Sequence, residues 1–298
     1  MSTATDTAIA IVGPGAIGTT VAAALHEAGR TPLLCGRTHR DQLTLHDGER
    51  SIVVPGPVHT DPARIDRKMD LIFLAVKATQ TDSASGWLAA LCRPDTVVCV
   101  LQNGVEQLER VAMHAPPARI IPAVVWFPAQ AQADGSVRLR GDARLSLPDM
   151  PATRVAAEAL RGSQCVVDIT EDFPSVAWRK LLQNAVAGIM ALTHRRAGMF
   201  ARPDIAQLSL AYLRECLTVA RAEGARLGDE VPQEILAKFQ AAAPDLSTSI
   251  LTDREAGRQL EWDIRNGVVS RRARVHGIPT PISDIIVPLL AAASDGPG

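Results

Sequence analysis

The sequence predicts an α/β protein in which a doubly wound parallel-sheet domain is followed by an all-helical domain. Near-continuous apolar runs recur at 8–12, 32–35, 71–76, 97–101 and 120–126, helical segments at 17–28 and 81–91 lie between them, and strand signals vanish after residue 171. Short apolar runs separated by helices read as strands buried on both faces, the setting of a parallel sheet. At roughly 150 residues per domain, the 298-residue length fits about two domains.

The first strand runs directly into Gly13-Pro14-Gly15-Ala16-Ile17-Gly18 and then into a helix, the context that gives a G-x-G-x-x-G pattern its meaning. Gly13 permits a tight turn, Gly15 lets the backbone approach a pyrophosphate, and Gly18 lets the helix pack on the strand; this is the Rossmann-type arrangement. NAD binders place an acidic residue after the second strand, but here that strand ends Cys35-Gly36-Arg37. A guanidinium there matches a 2'-phosphate, so NADP(H) is the expected cofactor, against Arg37 as a solvated surface charge. The strands at 71–76 and 97–101 end in Lys77-Ala78-Thr79-Gln80 and Gln102-Asn103-Gly104, polar groups at the carboxyl ends where ligands bind in such sheets.

After residue 126 the rhythm changes. Asp134-Gly135 and Gly141-Asp142 flank the run 137–139, and 145–147 follows, so a hairpin or meander is expected. A helix at 152–161 and a strand at 165–169 close the first domain. A boundary at 170–174 gives a nucleotide-binding domain at 1–171 and a helical domain at 172–298, with long helices expected at 175–191, 204–227 and 256–276. Around Tyr212, Leu213 and Cys216 the apolar residues read either as core or as the face of a homodimer.

Composition narrows the function classes. Thirty-one Lys and Arg against 32 Asp and Glu leave a net charge of -1, and aromatics are 3%, so neither a basic field nor stacking platforms for nucleic acid exist. No apolar stretch approaches the roughly 18 residues of a membrane span. The start, 1–7, has no basic leader region, so a cytoplasmic location is expected. Cys35, Cys92, Cys99, Cys165 and Cys216 lack C-x-x-C spacing and read as small core hydrophobes. The seven histidines are scattered, so no metal is expected, and no G-x-S-x-G elbow is present.

The ordered set of the glycine loop, Val76-Lys77-Ala78, Gln102-Asn103-Gly104, Trp178-Arg179-Lys180-Leu181-Leu182-Gln183-Asn184, Ser249-Ile250-Leu251-Thr252-Asp253 and Glu261-Trp262-Asp263-Ile264-Arg265-Asn266-Gly267 resembles the ketopantoate reductase family over nearly the whole chain. The resemblance implies NADPH-dependent reduction of a small-molecule 2-oxo acid. It also implies roles: Lys180 as catalytic lysine, Asn184 as substrate amide, Ser249 as holder of the substrate carboxylate, and Asn103 between cofactor and substrate. Glu261 matches a carboxylate near the cofactor and counts with Lys180 as catalytic; Lys77 matches a cofactor contact, and Ala129 a backbone position near the nicotinamide. Independently, Lys180 and Asn184 stand four apart and share a helix face. An ammonium there can stabilise and protonate a developing alkoxide, typically about a 10²–10⁴-fold effect. The plainer alternatives are a helix N-cap for Ser249 and a solvated charge for Glu261.

Three departures stand out. Gly188 occupies a position where pantoate-forming enzymes carry an Asn, Leu246 replaces another, and 124–128 reads Val-Val-Trp-Phe-Pro in place of a polar strand end. A lost partner for a buried hydroxyl costs about 1–3 kcal/mol, so a substrate with a less polar side chain is expected. Two other readings fit the same architecture: a β-hydroxyacid dehydrogenase acting on 3-hydroxy acids, and a catalytically silent NADP sensor. Lys180, Asn184, Ser249 and Glu261 argue against the sensor, since binding alone does not require them.

Overall fold

The computed structural model describes residues 7–115 and 118–296; most of the start, 1–6, whose composition bears on a leader segment, lies outside the described residues. The chain divides into two compact units, Met1–Gln102 with Gln107–Phe173, and Asn103–Glu106 with Pro174–Gly298.

The strands of the first unit are β1 (Ile9–Val12), β2 (Leu33–Cys35), β3 (Gln42–Asp47), β4 (Arg50–Pro55), β5 (Val58–His59), β6 (Leu71–Leu74), β7 (Val97–Val100), β8 (Arg119–Pro122), β9 (Val124–Val125), β10 (Ala129–Ala131), β11 (Val137–Leu139), β12 (Ala143–Pro148) and β13 (Cys165–Thr170). Its helices are α1 (Ala16–Glu27), α2 (Thr81–Leu91), α3 (Gln107–Ala112) and α4 (Thr153–Ala159). The central sheet has the order β5-β2-β1-β6-β7-β8, parallel throughout. Alternate residues of each inner strand enter different cores. Ile9, Ile11, Leu71, Phe73, Val97 and Cys99 pack on the α1 side, whereas Ala10, Val12, Ile72, Leu74, Val98 and Val100 pack with Trp87, Leu88 and Leu91 of α2. Both faces being covered, neither set of positions tolerates a polar residue, which is why these strands read as unbroken apolar runs. The chain leaves β1 for β2 on one side and returns to β6 on the other, so the switch point lies at the carboxyl end of β1.

A second sheet, β10-β11-β3-β4, packs over α1, which is therefore covered on two sides. Ala22, Ala23 and Ala24 are fully buried, as the close approach demands. The β3–β4 hairpin carries no strong apolar run in sequence; Gly48, at φ +59°, supplies the positive φ of its two-residue turn.

Two expectations change here. The runs 137–139 and 145–147 do not pair with each other: β11 joins β10 and β3, whereas β12 joins β9 and β13. Gly141, at φ +88°, turns the chain out of one sheet and into the other. The run 120–126 is likewise split, β8 ending the central sheet at Pro122 and β9 pairing with β12. A proline cannot extend the ladder as a donor.

The second unit is helical: α5 (Phe173–Thr193), α6 (Pro203–Ala222), α7 (Val231–Ala241), α8 (Ser249–Glu255), α9 (Val268–Val275) and α10 (Pro281–Asp295). Tyr212, Leu213 and Cys216 are fully buried in its core, which takes them out of any face for a second copy. The helix expected at 256–276 is interrupted. Gly257, at φ +62°, closes α8, and the chain re-enters through a π turn, Asp263–Gly267, that leads into α9. Among the described residues no helix is long and apolar enough to cross a membrane, and no group of three or more His, Cys, Asp or Glu stands where it could hold a metal ion. All five cysteines are buried free thiols.

Candidate active site

In the first unit the turn after β1 is shaped for a close-approaching ligand. Gly13 has φ +92°, and a Cβ there would stand 2.6 Å from Val76 Cγ1 and 2.7 Å from the Val76 backbone nitrogen. A Cβ on Gly18 would lie 2.3 Å from the Gly13 carbonyl oxygen, so α1 starts hard against the loop. Around Gly15, by contrast, nothing lies within 4 Å of where a Cβ would be. Gly15 is the N-cap of α1; no side chain caps the helix and no acidic residue occupies its first turn. Bare backbone N–H groups at a helix start with open space in front suit a pyrophosphate. The loop, with Pro14, Ala16 and Ile17, fits a dinucleotide.

Gly36 packs on Pro14, a Cβ there lying 3.0 Å from Pro14 Cδ, and exposed Arg37 follows at once in the chain. Lys77 follows Val76, the residue pressed against Gly13, and is partly buried at the entry to a 3₁₀ turn. Ala129 opens β10 and packs, like Ala16 and Ile17, on the core beside α1. Gln102 turns inward, donating to Thr81 Oγ1 at 2.9 Å.

The second unit holds a chain of polar contacts that joins residues far apart in sequence. Asn184 on α5 donates to Asn103 Oδ1 at 3.3 Å, and Asn103 donates to Glu261 Oε2 at 3.1 Å. Arg265 Nη2 reaches the same Glu261 oxygen at 3.0 Å and Ser249 Oγ at 3.1 Å. Segment 103–106 meets the π turn closely at Gly104. Its φ is +103°, and a Cβ would lie 3.2 Å from the Ile264 carbonyl oxygen. Glu106 and Arg271 then bond, with 2.7 Å between Arg271 Nη2 and Glu106 Oε2. π turns occur frequently at functional sites, and this one carries Ile264, Arg265 and Asn266. Lys180 lies one helical turn before Asn184 and is partly buried. Burial, with the positive charges of Arg265 and Lys238, pushes its pKa down to about 8.

Lys180, Asn184, Asn103, Glu261 and Ser249 therefore fall within one unit, whereas Gly13–Gly18, Arg37, Lys77 and Ala129 belong to the other. Glu261 is not a solvated charge; it is 5% exposed and ion-paired. Ser249 is not the N-cap of α8: Thr248 holds that position, and the exposed Ser249 hydroxyl accepts from Arg265. Gly188 is not an emptied polar site, because the Asn266 amide fills the space in front of it, 2.9 Å from where a Cβ would be. Leu246 is 42% exposed. Trp126, in the apolar replacement of the strand end, donates from Nε1 to Ser146 Oγ at 2.9 Å. Arg265, in the same motif as Glu261 but without a role implied by the resemblance, is its ion-pair partner, and the i,i+4 spacing of the two is the sequence signal for it.

A doubly wound unit with a bare glycine-rich helix start, followed by a helical unit bearing a lysine, two amides and a buried carboxylate, is the architecture of a Rossmann-type reductase. The chain belongs to the ketopantoate reductase family. Residues 9–152 match the family model described as "Ketopantoate reductase PanE/ApbA", and 172–294 match its C-terminal counterpart. It is 57% identical over 293 residues to a 2-dehydropantoate 2-reductase of Mycobacterium tuberculosis, covering 98% of this chain and 99% of that one. It is 36% identical over 289 residues to the 2-dehydropantoate 2-reductase of Caulobacter vibrioides, covering 97% and 99%. Among solved structures it is similar to the dimeric ketopantoate reductase of Staphylococcus aureus, with a TM-score of 0.87 and 29% identity over 98% of this chain and 100% of that one.

Proposed function

We propose that this protein is an NADPH-dependent 2-oxo acid reductase whose preferred substrate is 2-dehydropantoate, with Lys180 as its general acid. The polar chain Asn184–Asn103–Glu261–Arg265, one helical turn from a lysine with a lowered pKa, is the observation that carries this reading. A reduced nicotinamide, when bound, supplies the hydride. The open helix start at Gly15 holds the pyrophosphate, Arg37 takes the 2'-phosphate, and Lys77 and the Ala129 backbone line the nucleotide site.

As the ketone carbon is reduced, its oxygen gains negative charge. The Lys180 ammonium stabilises that charge and donates the proton that completes the alcohol, for about a 10²–10⁴-fold effect. Asn184 and Asn103 orient the substrate, Ser249 receives its carboxylate, and Glu261 fixes Asn103 by accepting from its amide. Because Asn266 fills the space before Gly188, that glycine no longer argues for a less polar substrate, and the relatives' names favour 2-dehydropantoate. The family match sets aside a β-hydroxyacid dehydrogenase.

The test is a panel of 2-oxo acids followed by nicotinamide absorbance, with wild type and Lys180→Ala in parallel. Turnover of 2-dehydropantoate above the other acids, lost in Lys180→Ala with NADPH binding intact, is expected. Intact NADPH binding with no 2-oxo acid reduced would overturn it.

A further inference from the structure

We propose that Arg265 is a positioning residue for this reaction, its guanidinium holding Glu261 and Ser249 in place and balancing the Glu261 charge so that Lys180 can part with its proton. This rests on the assignment of Lys180 as general acid.

The geometry singles Arg265 out. It is only 2% exposed, and Nη2 serves two acceptors, Glu261 Oε2 at 3.0 Å and Ser249 Oγ at 3.1 Å. Through Glu261 it connects to Asn103, and through Asn103 to Asn184, one turn from Lys180. One guanidinium thus reaches, directly or through one carboxylate, three of the five polar residues assigned to the site in this unit, and Asn184 through one amide more.

Stability does not account for it. A buried ion pair roughly breaks even against well-packed hydrophobic residues, because desolvation offsets the attraction. Arg265 also buries its Nε without a hydrogen-bond partner, which adds a penalty. An arginine kept only for packing would be better replaced by an aliphatic chain.

The charges acting on Lys180 come from several elements. Arg265 approaches from the π turn and Lys238 from α7, and both disfavour the ammonium, as burial also does. The opposing carboxylate in the cluster is Glu261, whose Oε2 accepts from Arg265 and Asn103. Remove the guanidinium and two changes act in one direction: a cation near Lys180 disappears, and Glu261 is left with less compensation. Both strengthen the hold of Lys180 on its proton.

The test uses the full chain carrying ¹³Cε-labelled lysine, followed by NMR across pH, with the Lys180 resonance assigned by its absence from Lys180→Met. Wild type is compared with Arg265→Met and Arg265→Lys, and each variant is first shown folded by its remaining lysine resonances. The Lys180 midpoint should rise by about one pH unit or more in Arg265→Met and stay near the wild-type value in Arg265→Lys, which keeps the charge. In kinetics, the alkaline fall in kcat should move up with the midpoint in Arg265→Met, while kcat drops about 10–100-fold. An unmoved Lys180 midpoint in folded Arg265→Met overturns the proposal. Should that variant not fold, Arg265→Gln, which retains a donor for Glu261 but no charge, decides by the same midpoint. A midpoint that shifts in a protein whose wild type reduces no 2-oxo acid would sink the proposed reaction while leaving the Arg265–Lys180 coupling standing.

Discussion

Gly188 and Asn266 share a space that holds only one side chain: a Cβ on Gly188 would stand 2.9 Å from Asn266 Nδ2 and 3.2 Å from Asn266 Oδ1. The amide cannot easily move aside, since Nδ2 donates to the Ala185 carbonyl at 2.9 Å and to the Tyr212 hydroxyl at 3.0 Å. In an open helix Gly→Ala would gain up to about 1 kcal/mol from propensity. Here over-packing costs about 1–3 kcal/mol and should win. Gly188→Ala is expected to lower stability, and Gly188→Asn, with its larger side chain, to lower it more. Urea midpoints measure both; a raised midpoint in Gly188→Asn would show that Asn266 yields.

The glycine loop allows a sharper separation of folding from binding. A Cβ on Gly18 meets the Gly13 carbonyl oxygen at 2.3 Å, whereas one on Gly15 meets nothing within 4 Å. Gly18→Ala should therefore destabilise the first unit. Gly15→Ala should leave the unfolding midpoint nearly unchanged yet weaken NADPH binding, because its methyl enters ground the pyrophosphate needs. Calorimetric titration alongside thermal melts distinguishes them, and full NADPH affinity in Gly15→Ala would place the pyrophosphate elsewhere.

Arg37 stands exposed after β2, beside the Gly36–Pro14 contact. Hydrogen bonds to a charged group are worth about 1.5–3 kcal/mol, or about 10–150-fold in affinity. Arg37→Glu should raise the KM for NADPH by that order and leave or improve the KM for NADH. If both constants stay at wild-type values, the 2'-phosphate is held by another residue.

The parts of the fold most legible in sequence are those with one environment along their length. β1, β6 and β7 are buried on both faces, so an unbroken apolar run suffices to find them. The β3–β4 hairpin was harder, because its alternating Leu43 and Leu45 are buried only by packing over α1. Lys180 and Asn184 are legible as a helical pair. Arg265 is only half legible: its i,i+4 spacing from Glu261 suggests a pair, but whether the pair faces solvent or is buried depends on the π turn, a feature of hydrogen-bond register that local pattern does not encode. The surroundings of Gly188 are illegible for a related reason: the residue that fills its space comes from a distant element.

Lys180 itself couples catalysis to stability in opposite senses. Its pKa is pushed from the usual value of 10.5 down to about 8, first by burial and then by Arg265 and Lys238. Between those values the unfolded chain binds more protons than the folded one, so wild-type stability rises with pH across that window. Below pH 8 both states are protonated and the folded protein carries the full penalty of a buried ammonium. Lys180→Met removes the charge, so it should be the more stable protein at neutral pH, with the gap closing as pH climbs from 8 toward 10.5. The same variant should lose about 10²–10⁴-fold in kcat, the worth of a positioned general acid. Urea unfolding at a series of pH values, beside initial rates, measures both effects. A gap that stays constant with pH would mean that the ammonium is as well solvated in the folded protein as in the unfolded chain, and with that the case for a poised proton donor at this position would fail.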